Sequence, residues 1–134
     1  MATENIEEEL FLGFDFSTQQ IKAIVINDDL KIVAEEHVNF DQDLKEYRTV
    51  HGFHEGSGGK VTAPTIMWVK ALDLIMERIR IQGIDLSKIT ALSGAGLLLY
   101  QFKADFRLIL KSILKVNSMA VYIGALVLME CWKP

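Results

Sequence analysis

Hydrophobic and polar positions divide the first forty residues into three short strands. Residues 10–14 (Leu-Phe-Leu-Gly-Phe) form an apolar run that stops at Asp15, the pattern of a buried central strand. Residues 21–26 (Ile-Lys-Ala-Ile-Val-Ile) form a second run dominated by β-branched side chains. Between them residues 15–20 make a polar turn. Asn27-Asp28-Asp29 predicts a hairpin turn, because Asn and Asp tolerate left-handed backbone angles and bond their own main chain. Residues 30–40 continue as a third strand, with Ile32, Ala34 and Glu36 on one face and Val33, Glu35 and His37 on the other. Strands joined by two tight polar turns predict an antiparallel meander.

Residues 41–61 hold Asp41, Asp43, Gly52, Gly56, Ser57, Gly58 and Gly59 with no sustained period and read as loop. Helical spacing begins at Thr62 and runs to Gln82. Thr62 suits the cap, Pro64 the first turn, and Gly83 the residue past the end. Trp68, Leu72, Ile75 and Ile79 share one stripe, while Lys70, Asp73, Glu77 and Arg80 lie away from it. Residues 89–93 predict a further strand closing at Gly94-Ala95-Gly96, which a helical crossover can return parallel to an earlier one. The fold class is therefore α/β, a mixed sheet in the order β-β-β-α-β. Beyond it Lys103, Arg107, Lys111 and Lys115 recur every fourth residue opposite Phe102, Phe106, Ile109, Leu110, Ile113 and Leu114, predicting a basic amphipathic helix over 101–116.

Composition sharpens this division. With 50% apolar and 24% charged residues and only two prolines, the 134-residue chain is globular rather than disordered. Its net charge of −4 argues against a nucleic-acid surface built on bulk positive charge. The charge is uneven: residues 1–96 carry a net −7 and residues 97–134 a net +3, which predicts two segments with different roles. The longest uncharged apolar run, residues 119–129, is shorter than the ~20 residues of a bilayer span. One cysteine, Cys131, leaves no internal disulfide. Four glutamates and no basic residue in the first nine positions are unlike a secretory or transit signal, and the expected compartment is cytoplasmic.

Candidate chemistry concentrates at the first turn. Asp15, Ser17, Thr18, Gln19 and Lys22 lie in a strand–turn–strand where backbone N–H groups and hydroxyls can cradle phosphates and a carboxylate can hold magnesium through water. From the residues alone, an ordinary hairpin whose Asp bonds its own turn is the commoner use of such a segment. The run Gly56-Ser57-Gly58-Gly59-Lys60-Val61 fails the phosphate-loop pattern at His54 and Val61, and reads as flexible loop. Gly94-Ala95-Gly96 lacks the third glycine of a dinucleotide fingerprint, so close backbone approach at a strand end is its expected use. His37, His51 and His54 share no helical face and read as surface histidines. Cys131 has no evident base partner.

Asp15 to Lys22, preceded by Leu12-Gly13, resembles the first phosphate-binding hairpin of the sugar-kinase, hexokinase and actin superfamily. More narrowly, Gly13-Phe14-Asp15-Phe16-Ser17-Thr18-Gln19-Gln20 is similar to the xylulose kinases of the FGGY carbohydrate kinase family. Phe40-Asp41-Gln42-Asp43-Leu44, Glu46-Tyr47-Arg48-Thr49, Met67-Trp68-Val69-Lys70-Ala71-Leu72-Asp73 and Leu92-Ser93-Gly94-Ala95-Gly96 resemble the following blocks of that family in order. The resemblance covers roughly residues 8–96. After Gly96 those kinases continue Gln-Gln-His-Gly, with a sugar-contacting histidine, where this chain has Leu97-Leu98-Leu99-Tyr100.

The resemblance implies part of the N-terminal lobe of an actin-like ATPase (ribonuclease H-like) fold in residues 1–96, followed by a divergent, apolar tail over 97–134 expected to be helical. It implies ATP and Mg2+ as cofactors, a small sugar as partner, and transfer of the γ-phosphate of ATP to D-xylulose to give D-xylulose 5-phosphate. The turn residues Asp15, Ser17, Thr18, Gln19 and Lys22 would lie near phosphate and metal, with Asp15 holding the metal through water. The general base, the sugar pocket and the ATP lobe of the family have no counterpart in this sequence. A truncated product inactive by itself is therefore expected, with a non-catalytic or splice-variant interaction fragment as the alternative. No nucleic-acid partner and no transmembrane span are expected, and exposed apolar surface predicts self-association.

Overall fold

A computed structural model describes residues 8–96 and the backbone of residues 120–123. Strand β1 (Leu10–Phe16) pairs antiparallel with β2 (Gln20–Asn27), which pairs antiparallel with β3 (Ile32–Asn39). The predicted meander is thus present. Its second turn is built as Asn27 requires: Asn27 Oδ1 accepts from the Lys31 amide at 2.9 Å, and the Leu30 amide donates to the Asn27 carbonyl at 3.0 Å. The left-handed residue there is Leu30 (φ 61°), so the third strand begins at Ile32 rather than residue 30.

The third strand also ends earlier than its apolar pattern suggests. Asn39 caps a one-turn helix α1 (Phe40–Asp43), its Oδ1 accepting from the Gln42 amide at 3.1 Å. Fully buried Phe40 is therefore a helix residue, not a strand residue. Residues 41–61 are more structured than a loop. A 3₁₀ turn (Lys45–Tyr47) follows α1, and β4 (His54–Glu55) pairs antiparallel with β5 (Val61–Thr62) around a second such turn (Ser57–Gly59). The Gly-rich run is the tip of that small hairpin, and Gly58 and Gly59 supply its positive φ angles.

Helix α2 (Thr65–Ile81) starts two residues later than a Thr62 cap would allow. Thr62 belongs to β5, and Pro64 occupies the cap with no side-chain bond to give. Its C-terminal end is as expected, with Gly83 at φ 95° and its amide on the Arg80 carbonyl. The predicted stripe is the buried one: Trp68, Leu72, Ile75 and Ile79, joined by Met67, Ala71 and Met76, pack on the sheet face formed by Leu12, Phe14, Ile21, Val25 and Val38.

After a third 3₁₀ turn (Leu86–Lys88), β6 (Ile89–Gly96) returns parallel to β1. Residues 10–96 supply the expected four strands of this sheet, and among the described residues a fifth, β7 (Ala120–Ile123), pairs parallel with β6 to give the order β3-β2-β1-β6-β7. These four residues fall in the segment expected to be helical, and they are strand; the basic helix expected over 101–116 lies outside the described residues, as does Cys131. The sheet face away from α2 is less covered. A hollow of about 500 Å³ there is lined chiefly by Phe11, Ile24, Ile26 and Ala91, with Ile24 37% exposed.

Candidate functional site

The first hairpin turn sits where three elements converge. Phe16 and Ile21 form the last strand pair, and Ser17–Gln20 closes the turn, the Ser17 amide donating to the Gln20 carbonyl at 2.9 Å. The Ser17 hydroxyl donates to the same carbonyl at 3.0 Å, so Ser17 is spent on holding the turn. Thr18 and Gln19 are exposed, and their amides take no part in the backbone bonds of the turn. Of the two hydroxyls expected to be available, the turn presents the one on Thr18.

Asp15 and Lys22 are cross-strand partners in the β1–β2 register, so their side chains leave the sheet on the same face. Both are exposed, and among the described residues neither takes part in an ion pair. Among the described residues the Asp15 carboxylate makes no hydrogen bond to its own turn. The structure thus brings Asp15, Thr18, Gln19 and Lys22 together at the end of the β1–β2 hairpin, with Ser17 shaping it.

Three contacts fix the turn from behind. The Phe40 amide, at the start of α1, donates to the Gln19 carbonyl at 3.0 Å. Gly96 closes β6 against β1, where a Cβ would collide with the Phe16 carbonyl oxygen. This is the close approach that the Gly94-Ala95-Gly96 pattern predicts. Gly52 (φ 84°) backs onto Thr18, where a Cβ would collide with the carbonyl oxygen. The third contact has no precedent in the sequence reading, where Gly52 was one more loop glycine.

What holds Gly52 there is Asp41. Its Oδ1 accepts from the Thr49 hydroxyl at 2.7 Å and the Gly52 amide at 3.1 Å, and its Oδ2 from the His51 amide at 2.6 Å. Burial pushes the Asp41 carboxyl up, but the hydrogen bonds from Thr49, Gly52 and His51 together outweigh it and hold the group below its ordinary value. The bond to its amide helps keep His51 (φ 56°) in a left-handed conformation, which Arg48 (φ 53°) also adopts and which costs a non-glycine residue ~1–2 kcal/mol. Asp41 and Gly52 were missed because the signal is a distance across ten residues of chain, invisible to spacing rules.

A second tether anchors α1 itself. Arg78 on α2 donates to Asp43 Oδ1 at 2.8 Å and to the His37 carbonyl at 2.7 Å, and Asp43 Oδ2 accepts from the Asn39 amide at 2.7 Å. The Arg78 hydrogen bond holds the Asp43 carboxyl below its ordinary value against the opposing effect of burial. Among the described residues no group of three metal-ligating side chains assembles. His37, His51 and His54 are all exposed, as surface histidines should be.

A mixed five-stranded sheet with its middle strand pair closed by this turn is the actin-like ATPase fold of the sugar kinases. The structure matches a xyloylose kinase from Brucella ovis with a TM-score of 0.53 at 22% identity, covering 66% of this chain and 16% of that one. It matches a gluconate kinase from Lactobacillus acidophilus with a TM-score of 0.51 at 20% identity, covering 67% and 16%. No family model matches the chain. In sequence it is homologous to xylulose kinases: 48% identical over 86 residues to xylulose kinase of Rattus norvegicus and 43% over 91 residues to xylulose kinase 2 of Arabidopsis thaliana. The matches cover 63% and 66% of this chain, which spans 16% of the length of each relative. Among the described residues no helix is long and apolar enough to cross a membrane.

Proposed function

We propose that residues 8–96 are the phosphate-proximal part of a sugar kinase lobe that serves transfer of the γ-phosphate of ATP to D-xylulose. The observation that supports this most directly is the first hairpin. Asp15 and Lys22, which form no ion pair among the described residues, share one sheet face beside two amides outside the turn's backbone bonding, in a segment similar to xylulose kinases. These residues fit the groups such a kinase uses. Asp15 is an exposed acceptor suited to a hydrated Mg2+, whose chemistry is to neutralise phosphate charge. The Thr18 and Gln19 amides and Lys22 are donors suited to phosphate oxygens. Gly52, Gly96 and Phe40 set the turn's position, and positioning is most of what a protein supplies in phosphoryl transfer.

The 134-residue polypeptide assayed by itself is expected to show no D-xylulose-dependent consumption of ATP. Its residues 97–134 carry nothing like the sugar-contacting or base-bearing blocks the resemblance implies, and the division at Gly96 is part of this proposal. The test is a chimera: rat xylulose kinase with its matching segment replaced by residues 8–96 of this chain. Retained activity, falling by ~100-fold or more on Asp15→Ala, is the expected result. A chimera that folds and is inactive, or one indifferent to Asp15→Ala, would overturn the reading. The alternative, an interaction fragment without catalysis, draws support from the apolar hollow around Phe11, Ile24 and Ile26. Light scattering of the intact chain separates a monomer from an associating species.

A further inference from the structure

A second concavity adjoins the hairpin turn and plays no part in the proposed phosphoryl transfer. It measures about 650 Å³, within the ~300–1,000 Å³ of small-molecule sites, and is lined by Arg48, Val50, His51, Phe53, His54 and Glu55. His51 and Phe53 flank Gly52, the residue packed on Thr18, so the pocket lies one residue away from the turn.

Its lining has a definite chemistry. Arg48 offers a planar fork of donors that suits phosphate oxygens, and the His51 and His54 rings stand beside it. Phe53 and Val50 supply an apolar wall, with the His51 ring 6.4 Å from that of Phe53. Glu55 is the one carboxylate among the lining residues, an acceptor for hydroxyl groups. A cationic end, an apolar wall and a single acceptor match a phosphorylated polyol better than a neutral sugar.

The pocket is also built rather than incidental. Arg48 and His51 both adopt left-handed backbone angles, which turn the chain sharply at two positions that line the pocket. The Asp41 carboxylate holds the His51 amide, and the Arg48 amide is bonded to the Lys45 carbonyl at 3.0 Å. His54 Nε2 lies 2.7 Å from the Tyr47 carbonyl, a partner that can only accept, so its Nε2–H is donated there and fixes the ring.

We infer that the pocket formed by Arg48, His51, Phe53, His54 and Glu55 binds a small sugar phosphate through its phosphomonoester group. This site is separate from the hairpin and does not depend on the kinase reading. The test is titration of the isotope-labelled 134-residue chain with D-ribose 5-phosphate, inorganic phosphate and neutral D-ribose, without nucleotide, reading the backbone amides. The ester is expected to shift amides of residues 48–55, inorganic phosphate to shift the same set more weakly, and D-ribose to shift none. Arg48→Gly keeps the left-handed backbone without strain and should weaken ester binding ~10-fold or more without lowering the melting temperature. His51→Asn, equally tolerant of that backbone, should weaken it severalfold. Shifts confined to residues 17–20, equal binding of D-ribose, or wild-type affinity in Arg48→Gly would each overturn the proposal. Because the readout is at 48–55 and involves no ATP, its outcome is independent of the chimera's.

Discussion

Replacing Asp41 with asparagine should loosen the hairpin turn from a distance, through Gly52. The substitution keeps the size of the side chain and one acceptor oxygen, and removes the charge that accepts from Thr49, His51 and Gly52 at 2.7, 2.6 and 3.1 Å. Hydrogen bonds to a charged group contribute ~1.5–3 kcal/mol each when buried, but this carboxylate is partly open to water and the amide oxygen retains some of them. A net loss of about 2 kcal/mol is the reasonable figure. With an m-value of ~1.5 kcal/mol/M, the urea midpoint should fall by about 1.3 M. The acid side carries a second signature. The folded-state carboxyl of Asp41 lies below its ordinary value, so its contribution is complete above the unfolded pKa of ~3.9 and is lost as pH falls through the folded one. The asparagine variant should therefore lose less stability than the parent over that interval. Amide exchange should quicken at Ser17 and Phe40, whose amides donate to the Gln20 and Gln19 carbonyls in bonds that Asp41 does not make. An unchanged midpoint with unmoved hairpin amides would refute the whole chain of reasoning from Asp41 to the turn.

Gly52→Ala should cost ~2 kcal/mol or more, since φ 84° strains alanine and its methyl group meets the Thr18 carbonyl; a normal melting temperature would contradict the close approach. Arg78→Met should cost ~1–3 kcal/mol by stranding Asp43 and the His37 carbonyl, measured by urea unfolding. It should also shrink the acid-side loss of stability, because the Asp43 carboxyl returns toward its ordinary value. Ile24→Lys on the open sheet face should leave the core intact and reduce any self-association seen by light scattering; unchanged association would place the contact elsewhere.

Much of the sheet is legible from local pattern. The runs that became β1, β2 and β6 are apolar and β-rich over four to six residues, and the α2 stripe at Trp68, Leu72, Ile75 and Ile79 repeats often enough to survive any error at its ends. Those ends went wrong where local preference met tertiary demand. Thr62 is a good cap, yet pairing with His54 took it into β5 and left the cap to Pro64. Phe40 extends a strand pattern, yet the Asn39 cap and the bond from its own amide to Gln19 started a helix there.

Sequence alone determined the identity of the chemical groups at the turn, because Asp15, Thr18, Gln19 and Lys22 lie within eight residues and a hairpin must bring them together. Tertiary structure alone decided what holds that turn and what lies beside it. Phe40, Gly52 and Gly96 reach it from three separate parts of the chain, and beside the Arg48–Glu55 pocket one carboxylate, that of Asp41, gathers the Thr49 hydroxyl and the His51 and Gly52 amides. The physical reason is one of range. Periodicity and spacing report contacts that the backbone's own geometry enforces, within a strand, a turn or a helix face. A carboxylate that satisfies three donors ten residues away leaves no period to read, and its effect appears only when the folded chain closes the loop.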